Sequence, residues 1–454
     1  MSLSGLNAPE LRAVTGLASL YGLRMLGLFM VLPVLPLLAA DLDGATPVAL
    51  GLVIGIYGLT QAILQLPFGW LSDRVGRKPL IFIGLGLFAL GSLVAALADS
   101  LTGLVIGRAL QGSGAIASVL MALLADLTRD EKRTQAMASV GLSIGLAFIL
   151  AMALGPWLAG WLGLSGLFWL IFLLTLLGMG VLWRWVPTPT RVRSHLDAGI
   201  QPQEIRGVLL HPQLLRLDLS ILLLHLLLTA IFLAIPALLI QAGWALPQHG
   251  WIYLGTMLLG FFAMIPLIIL GEKRQKMKTM LLLGFVLLAV ALAFLSQWHS
   301  AGPLLLGLWL FFVGFNLLEA SLPSLISKQA PVRSKGTAMG VYSTAQFLGA
   351  FLGGVLGGLV LANWGASGLL LAAAVLCVIW LLGLVGYQPP AYLSSRVFAL
   401  KSCRPEAMQA LQAQLYELSG VEEVVLLAEE ATGYLKLDRR QLDEAQLDTL
   451  LAQQ

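Results

Sequence analysis

Twelve stretches of mostly apolar residues, each about 20 residues long or longer, fill nearly all of the chain up to residue 386. A helix of that length spans the hydrocarbon core of a bilayer, so each stretch can cross a membrane. Charged residues make up 11% of the chain, whereas a soluble protein carries about 25%. The sequence therefore predicts an all-α polytopic membrane protein. The predicted segments are 13–39, 48–70, 79–98, 101–126, 135–162, 165–186, 217–241, 249–270, 279–297, 302–327, 336–362 and 366–386.

The positive charges predict which ends of these segments face the cytoplasm, because Lys and Arg collect there. With twelve spans, the odd-numbered loops carry no Lys or Arg, only acids such as Asp41, Asp43 and Asp99. We therefore expect the N-terminus, the central loop and the C-terminus to be cytoplasmic. The basic residues of the even-numbered loops include Arg74, Arg77, Lys78, Arg129, Lys132, Arg133, Arg191, Arg193, Arg206, Lys273, Arg274, Lys276, Lys278, Lys328, Arg333 and Lys335.

The chain divides into four predicted regions. Residues 1–186 and 217–388 each hold six apolar segments and echo one another weakly at a spacing of about 200 residues, as transporter halves do. Residues 187–216 form a polar linker, for which a surface helix is expected near 202–210. Residues 389–454 are predicted to be a soluble cytoplasmic domain. The fold class is thus two pseudo-symmetric six-helix halves followed by a small α+β domain.

The C-terminal domain has the predicted order β-α-β-β-α. Strands are expected at 397–400, 421–427 and 434–437, with a turn at Thr432-Gly433 before the last of them. Helices are expected at 405–418 and 442–451. Residues 396–454 hold 6 basic and 10 acidic residues, so the basic excess of the whole chain belongs to the membrane loops. That excess gives no reason to expect nucleic-acid binding.

The strand and helix order resembles the ferredoxin-like fold of small metallochaperone domains. The resemblance lacks the paired-cysteine metal loop, since only Cys403 lies there and no histidine follows His299. Soft metals need several thiolate or imidazole ligands, so no metal site is expected. The chain also stops where a fourth strand would follow. The resulting open sheet edge could pair with another chain, and self-association is one expected role.

A charged hairpin between the second and third segments is the most specific motif. It runs from Gly69 to Pro79 as Gly-Trp-Leu-Ser-Asp-Arg-Val-Gly-Arg-Lys-Pro. Gly76 permits a tight turn, and Gly69 allows another helix to come close. A plain hairpin that follows the positive-inside rule is the alternative interpretation, but that rule requires neither Asp73 nor Gly76.

Three motifs in order resemble those of major facilitator transporters. The first is this hairpin, the second is Leu104-x3-Arg108-x2-Gln111-Gly112-x-Gly114-Ala115, and the third is Ala151-x3-Gly155-Pro156-x2-Ala159-Gly160. The third is similar to the antiporter motif of the proton-coupled drug efflux branch, with Ala159 where glycine is usual. The resemblance covers residues 13–386. It implies a bacterial inner-membrane transporter that moves small solutes by rocking its two halves.

The resemblance also implies a conformational gate at the hairpin. Asp73 is expected to face the N-terminus of the eleventh helix near Gly336, where the helix dipole favours an anion. Arg77 is expected to pair with Asp126 at the end of the fourth helix. These contacts would join the halves on the cytoplasmic side and favour the outward-open state. The expected gate residues are Gly69, Asp73, Arg74, Gly76, Arg77, Lys78 and Asp126.

Ionisable residues inside apolar segments are the candidates for proton coupling, because a buried charge is costly and usually faces a cavity or a partner. Glu319 is the main candidate, since a carboxyl in apolar surroundings can exchange a proton near neutral pH. The alternative is an acid neutralised by a neighbour, and Arg24 is the candidate neighbour. Arg24 and Arg108 are as readily interpreted as structural arginines bonded to carbonyls. The expected set is Glu319, Asp126, Arg24, Arg108 and His225.

The remaining candidates also have purely structural interpretations. His225 can titrate in the physiological range, but a lone histidine on an apolar helix is more often a packing residue. Asp218 lies near the start of the seventh segment and is expected to cap its helix. Gly155, Pro156 and Gly160 permit close packing or a bend in the fifth helix.

The motifs favour a transporter over an enzyme. The chain has no Gly-x4-Gly-Lys-Ser/Thr phosphate loop and no His-Glu-x2-His, which argues against an ATP-driven pump and a metalloprotease. The expected function is proton-coupled export of small drug-like or amphipathic solutes, with protons, solute and lipid as partners and no cofactor. Two alternatives stay open: a proton-independent facilitator or importer, and a sensor whose C-terminal domain binds a ligand.

Overall fold

The computed structural model is a helical bundle followed by a small α+β domain. It describes residues 6–188, 201–331, 334–390, 394–401, 404–428, 431–438 and 441–453. Arg191, Arg193, Arg333 and Cys403, which the sequence analysis named, lie outside these ranges. The bundle helices are α1 (Ala8–Val31), α2 (Leu35–Leu38), α3 (Pro47–Val75), α4 (Arg77–Ala96), α5 (Leu101–Ser113), α6 (Ala117–Asp126), α7 (Asp130–Arg184), α8 (Ile205–Leu210), α9 (Pro212–Gln241), α10 (Leu246–Lys273), α11 (Met277–Gln297), α12 (Ala301–Gln329) and α13 (Lys335–Leu384).

Ten helical stretches among the described residues are long and apolar enough to cross a membrane. Two of them, α7 with 55 residues and α13 with 50, are far longer than the bilayer requires. Each is interrupted where one glycine leaves the helical conformation: Gly163 has φ 65° and ψ −173°, and Gly365 has φ 66° and ψ −173°. Such positive φ values favour glycine, so these two positions are where the chain can reverse.

Two of the predicted segments are broken inside. The segment 13–39 becomes α1 and α2 with a turn around Pro33, whose ring nitrogen cannot donate a helical hydrogen bond. The helix α1 also begins five residues before the predicted start, because Asn7 and Glu10 form a reciprocal capping box. The segment 101–126 becomes α5 and α6, which are separated at residues 114–116.

Loops at the two ends of the bundle define two faces. The acidic face is the end at which α3, α5 and α10 begin and at which Gly163 and Gly365 lie; Asp41, Asp43 and Asp99 belong to it. The basic face is the opposite end, with the hairpin at Gly76 and the loops after α6, α10 and α12. The expected surface helix near 202–210 is confirmed on this side as a short 3-10 turn, Pro202–Glu204, that continues into α8.

Equivalent contacts recur in the two parts of the bundle. Lys78 Nζ, at the start of α4, donates to the carbonyl of Val186 at 2.8 Å, just beyond the end of α7. Lys278 Nζ, at the start of α11, donates to the carbonyl of Val385 at 2.8 Å, just beyond the end of α13. A lysine at a helix C-terminus satisfies a carbonyl that has no intrahelical partner. The weak repeat in the sequence therefore corresponds to repeated tertiary contacts.

The bundle has two main hydrophobic clusters. One is drawn chiefly from α1–α7, called the N-half below, and the other chiefly from α9–α13, the C-half. A few side chains cross between them, such as Phe148 of α7, which belongs to the C-half cluster, and Leu233 of α9, which belongs to the N-half cluster.

Glycines bring the two halves into backbone contact near the acidic face. A Cβ atom at Gly51 of α3 would overlap the carbonyl of Gly354 of α13, and one at Gly250 of α10 would overlap the carbonyl of Ala153 of α7. Helices can approach this closely only where small residues face each other. In the described conformation the two halves are thus in contact, and the bundle is closed, at the acidic face.

The C-terminal domain comprises β1 (Ser394–Ala399), α14 (Pro405–Glu417), β2 (Val421–Leu427), β3 (Thr432–Leu437) and α15 (Glu444–Gln453). The sheet is antiparallel with strand order β1-β3-β2, so β1 and β2 form its edges. The turn predicted at Thr432-Gly433 is wrong, because both residues pair with β1 in the ladder. Gly433 lies beneath the ring of Phe398, which leaves no room for a side chain there.

A hydrogen bond between described residues attaches this domain to the bundle. Lys436 Nζ of β3 donates to the carbonyl of Ala330, the residue that caps the C-terminus of α12, at 2.9 Å. The same ammonium group lies 3.0 Å from Glu423 Oε2 of β2. The domain therefore contacts the basic face through the end of α12.

We predict that Gly250→Val shifts the protein towards a state that is open at the acidic face. The added side chain would overlap the α7 backbone, and such overpacking costs about 1–3 kcal/mol, enough to shift the population roughly tenfold. Spin labels at Asp43 and Ser300, both exposed on the acidic face, would report a longer distance. Gly255→Val on the same helix is the control, because its Cβ meets nothing within 4 Å. Equal distance distributions in both variants would contradict this closure.

Candidate functional site

The hairpin between α3 and α4 is organised around Arg77. Gly76 has φ 99° and ends α3, so the turn uses a conformation that glycine adopts without strain. Arg77 Nε donates to Asp126 Oδ2 at 3.1 Å, which is the pairing that the resemblance implied. Arg77 also forms an ion pair with Asp73, one turn earlier, and donates to Ser72 Oγ at 2.5 Å. One buried guanidinium thus connects the ends of α3 and α6.

The expected contact between Asp73 and the start of α13 is not among the described hydrogen bonds and ion pairs. Asp73 instead pairs with Arg77 inside its own half. The physical reason is that the halves meet at the acidic face, where Gly51 and Gly354 touch, and the hairpin lies at the opposite end.

The other gate candidates make contacts within the N-half. Gly69 is buried, and its carbonyl accepts a hydrogen bond from Ser72 Oγ at 2.6 Å. Arg74 is exposed and stacks on Trp70, with its guanidinium carbon 4.0 Å from the ring centroid. Lys78 donates to the carbonyl of Val186 as described above.

A polar cluster fills the middle of the N-half. Arg24 is 3% exposed, and its Nη2 donates to Gly114 O at 2.7 Å, to Gln61 Oε1 at 3.0 Å and to Tyr57 Oη at 3.2 Å. The carbonyl of Gly114 is available because the chain breaks there between α5 and α6. Arg24 therefore anchors the broken helix to α1 and α3.

Arg108 lies next to this cluster and is equally buried. Its Nη1 donates to Gln111 Oε1 at 2.7 Å, and Gln111 Nε2 donates to Ser92 Oγ at 2.8 Å. Its guanidinium carbon is 5.0 Å from the ring centroid of Tyr57. Neutral groups and an aromatic face thus surround the charge, and the Nε atom has no hydrogen-bond partner among the described residues.

A second polar cluster lies in the C-half and contains Glu319. Gln346 Nε2 of α13 is 2.8 Å from His225 Nε2 of α9 and donates to Glu319 Oε1 of α12 at 3.4 Å. His225 Nε2 is also 3.9 Å from Glu319 Oε2. His225 Nδ1 lies 3.3 Å from the carbonyl of Ile221, so a neutral ring can donate there and accept from Gln346.

Arg24 is not the neutralising partner of Glu319. The acceptors of Arg24 all belong to α3 or to the α5–α6 break, and the described neighbours of Glu319 are His225 and Gln346. The Glu319 side chain is 38% exposed although it lies deep in a spanning helix, whereas its Oε2 has no hydrogen-bond partner among the described residues. Because its contacts reach α9 and α13, we conclude that it faces the interior of the bundle.

Aromatic side chains from both halves pack together next to Glu319, on the side nearer the acidic face. The rings of Phe29 and Phe148 are 4.6 Å apart, and those of Phe148 and Phe315 are 5.9 Å apart. Phe315 belongs to α12, one turn from Glu319, whereas Phe29 and Phe148 belong to α1 and α7. The two halves are thus joined by an apolar cluster next to the carboxyl.

The antiporter-motif residues of α7 are packing positions in this structure. A Cβ atom at Gly155 would overlap the carbonyl of Met30 in α1. One at Gly160 would lie 2.8 Å from the Pro247 ring in α10. Pro156 is buried between them. The motif therefore allows α7 to contact the N-half on one side and the C-half on the other.

The sequence analysis predicted that Asp218 caps α9, and this prediction is wrong. His211 is the N-cap residue, and its Nδ1 accepts from the amide of Leu214 at 3.3 Å. Asp218 lies almost two turns inside the helix, is 4% exposed, and has no hydrogen-bond partner for either carboxyl oxygen among the described residues. Glu319 is consequently not the only acid that lies deep in the C-half.

The sequence analysis missed a second ion pair at the basic face, between Glu10 and Arg129. Glu10 is 2% exposed, and its Oε1 accepts from Arg129 N at 3.0 Å and from Arg129 Nε at 2.8 Å. The capping-box spacing of Asn7 and Glu10 could have shown the start of α1. No local pattern in the sequence indicates that Glu10 pairs with Arg129, which is far away in the chain. Gln346 and Gln61 were missed for the same reason. Among the described residues, no group of three or more His, Cys, Asp or Glu could hold a metal ion.

We predict that Arg77→Ala destabilises the protein more than Arg74→Ala does. Removing Arg77 leaves Asp126, whose side chain is 0% exposed, as a buried charge without this partner. Such a loss costs about 3–5 kcal/mol. Thermal unfolding of the purified variants in detergent measures the difference. The double variant Arg77→Ala, Asp126→Asn should recover part of the loss; no recovery would mean that the pair contributes no coupling.

Comparisons with known proteins agree with this architecture. A family model described as the Major Facilitator Superfamily matches residues 17–354 and 217–411. The chain is 45% identical over 447 residues to the inner membrane transport protein YajR of Escherichia coli K12, covering 98% of each protein. It is 46% identical over 70 residues to Multidrug resistance protein D of the same organism, which is 15% of this chain and 18% of that protein.

Solved structures share the fold at lower identity. The crystal structure of the human organic anion transporter MFSD10 aligns with a TM-score of 0.62 and 20% identity, covering 83% of this chain and 100% of that one. The crystal structure of the nucleoside transporter NupG aligns with a TM-score of 0.66 and 14% identity, covering 82% and 98%. At these identities the likeness concerns the fold of the bundle alone.

Proposed function

Because the chain belongs to the Major Facilitator Superfamily, a family of membrane transporters, we propose that it is a proton-coupled antiporter. It exports small drug-like or amphipathic solutes from a bacterial cell by alternating access. The 45% identity to an inner membrane transport protein supports a location in the bacterial inner membrane. The short likeness to a multidrug resistance protein supports the class of solute.

The observation that carries this proposal is the environment of Glu319. Its carboxyl lies inside the bundle beside two neutral hydrogen-bonding groups, His225 and Gln346, and no arginine or lysine forms an ion pair with it among the described residues. An acid without a permanent counter-ion is costly when charged in a membrane interior. A carboxyl in such a site can alternate between a protonated and an ionised form as solute and water enter.

The proposed topology has twelve spans, with both termini in the cytoplasm. At about 1.5 Å per residue, α7 and α13 would each be more than 70 Å long if straight, whereas the hydrocarbon core is about 30 Å thick. Each would therefore cross twice, reversing at Gly163 or Gly365. The Lys and Arg of the hairpin and neighbouring loops support a cytoplasmic basic face. The C-terminal domain lies on the same side, and its strand order β1-β3-β2 supports the proposal of a ferredoxin-like fold.

With this orientation the described conformation is closed towards the outside. The glycine contacts between α3 and α13 and between α7 and α10 form the outer closure. The hairpin with Asp73, Arg77 and Asp126 belongs to the opposite end, and in the outward-open state Asp73 would face the start of α13. A proton that reaches Glu319 from outside weakens that inner closure, the halves rock, and solute exchanges for the proton.

We predict that Glu319→Gln abolishes proton exchange driven by solute. Glutamine keeps the size and the hydrogen bond to Gln346 but cannot release a proton, so exchange should slow at least about a hundredfold. Everted membrane vesicles with a pH-sensitive dye, challenged with a broad compound panel, measure the dissipation of ΔpH. Glu272→Gln is the matched control, since Glu272 forms a surface pair with Lys328 at 2.9 Å.

Two outcomes would favour the alternatives. Compound flux that does not depend on pH would indicate a facilitator or importer. No response of the folded wild type to any compound would favour a sensor whose C-terminal domain binds a ligand.

We predict that deleting residues 389–454 leaves solute flux intact but removes its modulation. The domain contacts the bundle through Lys436 and the carbonyl of Ala330, and no described residue of the domain reaches Glu319. Flux and particle size, compared between the deletion variant and the whole chain, measure regulation and self-association through the open sheet edges. Complete loss of flux in a folded deletion variant would contradict a regulatory role.

A further inference from the structure

A second buried acid in the C-half has no use in the cycle described so far. Asp218 of α9 is 4% exposed, and neither carboxyl oxygen has a hydrogen-bond partner among the described residues. An unpaired carboxyl in a membrane interior costs free energy and usually marks a functional position. Arg216 does not pair with it, because its Nη1 donates to Gln213 and its guanidinium lies against Gly386.

The position of Asp218 places it between Glu319 and the basic face. Asp218 and His225 are seven residues apart on α9, so they lie on the same side of the helix. Asp218 is six residues from the start of α9, or about 9 Å along the axis, and Glu319 is ten residues from the end of α12, or about 15 Å. Both helix ends lie at the basic face, so Asp218 is the shallower of the two carboxyls.

Tyr342 of α13 is a third buried polar group in this part of the C-half. It is 4% exposed, and its hydroxyl has no hydrogen-bond partner among the described residues. It lies one helical turn from Gln346, which contacts Glu319 and His225, and it is within electrostatic range of both Glu319 and Asp218. Three helices of the C-half thus contribute polar groups to one buried region.

We propose that Asp218 is a second proton-carrying carboxyl and that Tyr342 relays the proton to it from Glu319. The proposal rests on the proton coupling proposed above. When water enters between these side chains, the protonated Glu319 gives its proton through water to the Tyr342 oxygen, and the hydroxyl proton of Tyr342 passes through water to the Asp218 carboxylate. Asp218 then releases it to water at the basic face, so tyrosine is left unchanged and one proton has moved from carboxyl to carboxyl.

The relay explains why both carboxyls lack cationic partners. A permanent ion pair would hold either acid in its ionised form and stop the transfer. It also gives the released proton an exit through the C-half that is separate from the Arg77 hairpin of the N-half.

Two measurements on the purified whole protein test the relay. Infrared titration of the carboxyl stretching bands shows how many buried carboxyls change protonation, and it needs no solute. We expect Glu319→Gln and Asp218→Asn to remove one band each. In everted vesicles, Asp218→Asn should slow solute-driven proton exchange at least about tenfold, and Asp218→Glu should restore most of it.

Tyrosine variants separate the relay from packing. Tyr342→Phe should slow proton exchange, whereas Tyr253→Phe should not. Tyr253 is a matched control, because it is also fully buried with an unpartnered hydroxyl but lies on α10, where no acid acts on it. Equal rates in the two tyrosine variants would overturn the relay.

Two further results would overturn the proposal for Asp218 itself: an infrared spectrum that Asp218→Asn leaves unchanged, or wild-type exchange in that variant. If the wild type shows no exchange with any compound, the antiport proposal fails, and the infrared titration still decides whether Asp218 takes up a proton.

Discussion

Hydrocarbon cannot form hydrogen bonds, and this constraint shapes nearly every polar contact in the bundle. Backbone groups are satisfied inside helices, and where a helix breaks, a side chain must take over. The carbonyl of Gly114 at the α5–α6 break is taken by Arg24, and the carbonyls beyond α7 and α13 are taken by Lys78 and Lys278. The cations that appear anomalous in an apolar sequence therefore satisfy backbone groups as well as carrying charge.

The same constraint gives the two halves opposite polar interiors. Inside the N-half, Arg24 and Arg108 lie in networks of glutamine, tyrosine and a carbonyl. Inside the C-half, Glu319 and Asp218 have no arginine or lysine partner among the described ion pairs. An arginine keeps its charge in every arrangement, whereas an acid without a cationic partner is stabilised by protonation. This difference makes the C-half the part in which proton exchange can change the energy of a conformation.

Among the described residues, the close contacts between the halves are built from small residues and aromatic rings. Backbone approach at Gly51 and Gly250, together with the Phe29, Phe148 and Phe315 cluster, involves no charge that must be desolvated again in each cycle. Such surfaces can separate at modest cost. The strongest electrostatic contacts, around Arg77 and between Glu10 and Arg129, lie within one half and can move with it as a unit.

The sequence by itself determined that the chain is helical and crosses a membrane repeatedly, because hydrophobic length and the absence of charge are local properties. It also indicated the hairpin turn at Gly76 and the pairing of Arg77 with Asp126, through motifs that resemble a known family. Tertiary structure decided which polar groups meet. Asp73 turns to Arg77 instead of α13, Arg24 bonds to Gly114 instead of Glu319, and Asp218 is a buried acid instead of a cap. These contacts join residues far apart in sequence, and their partners depend on how helices rotate and approach each other, which no local pattern records.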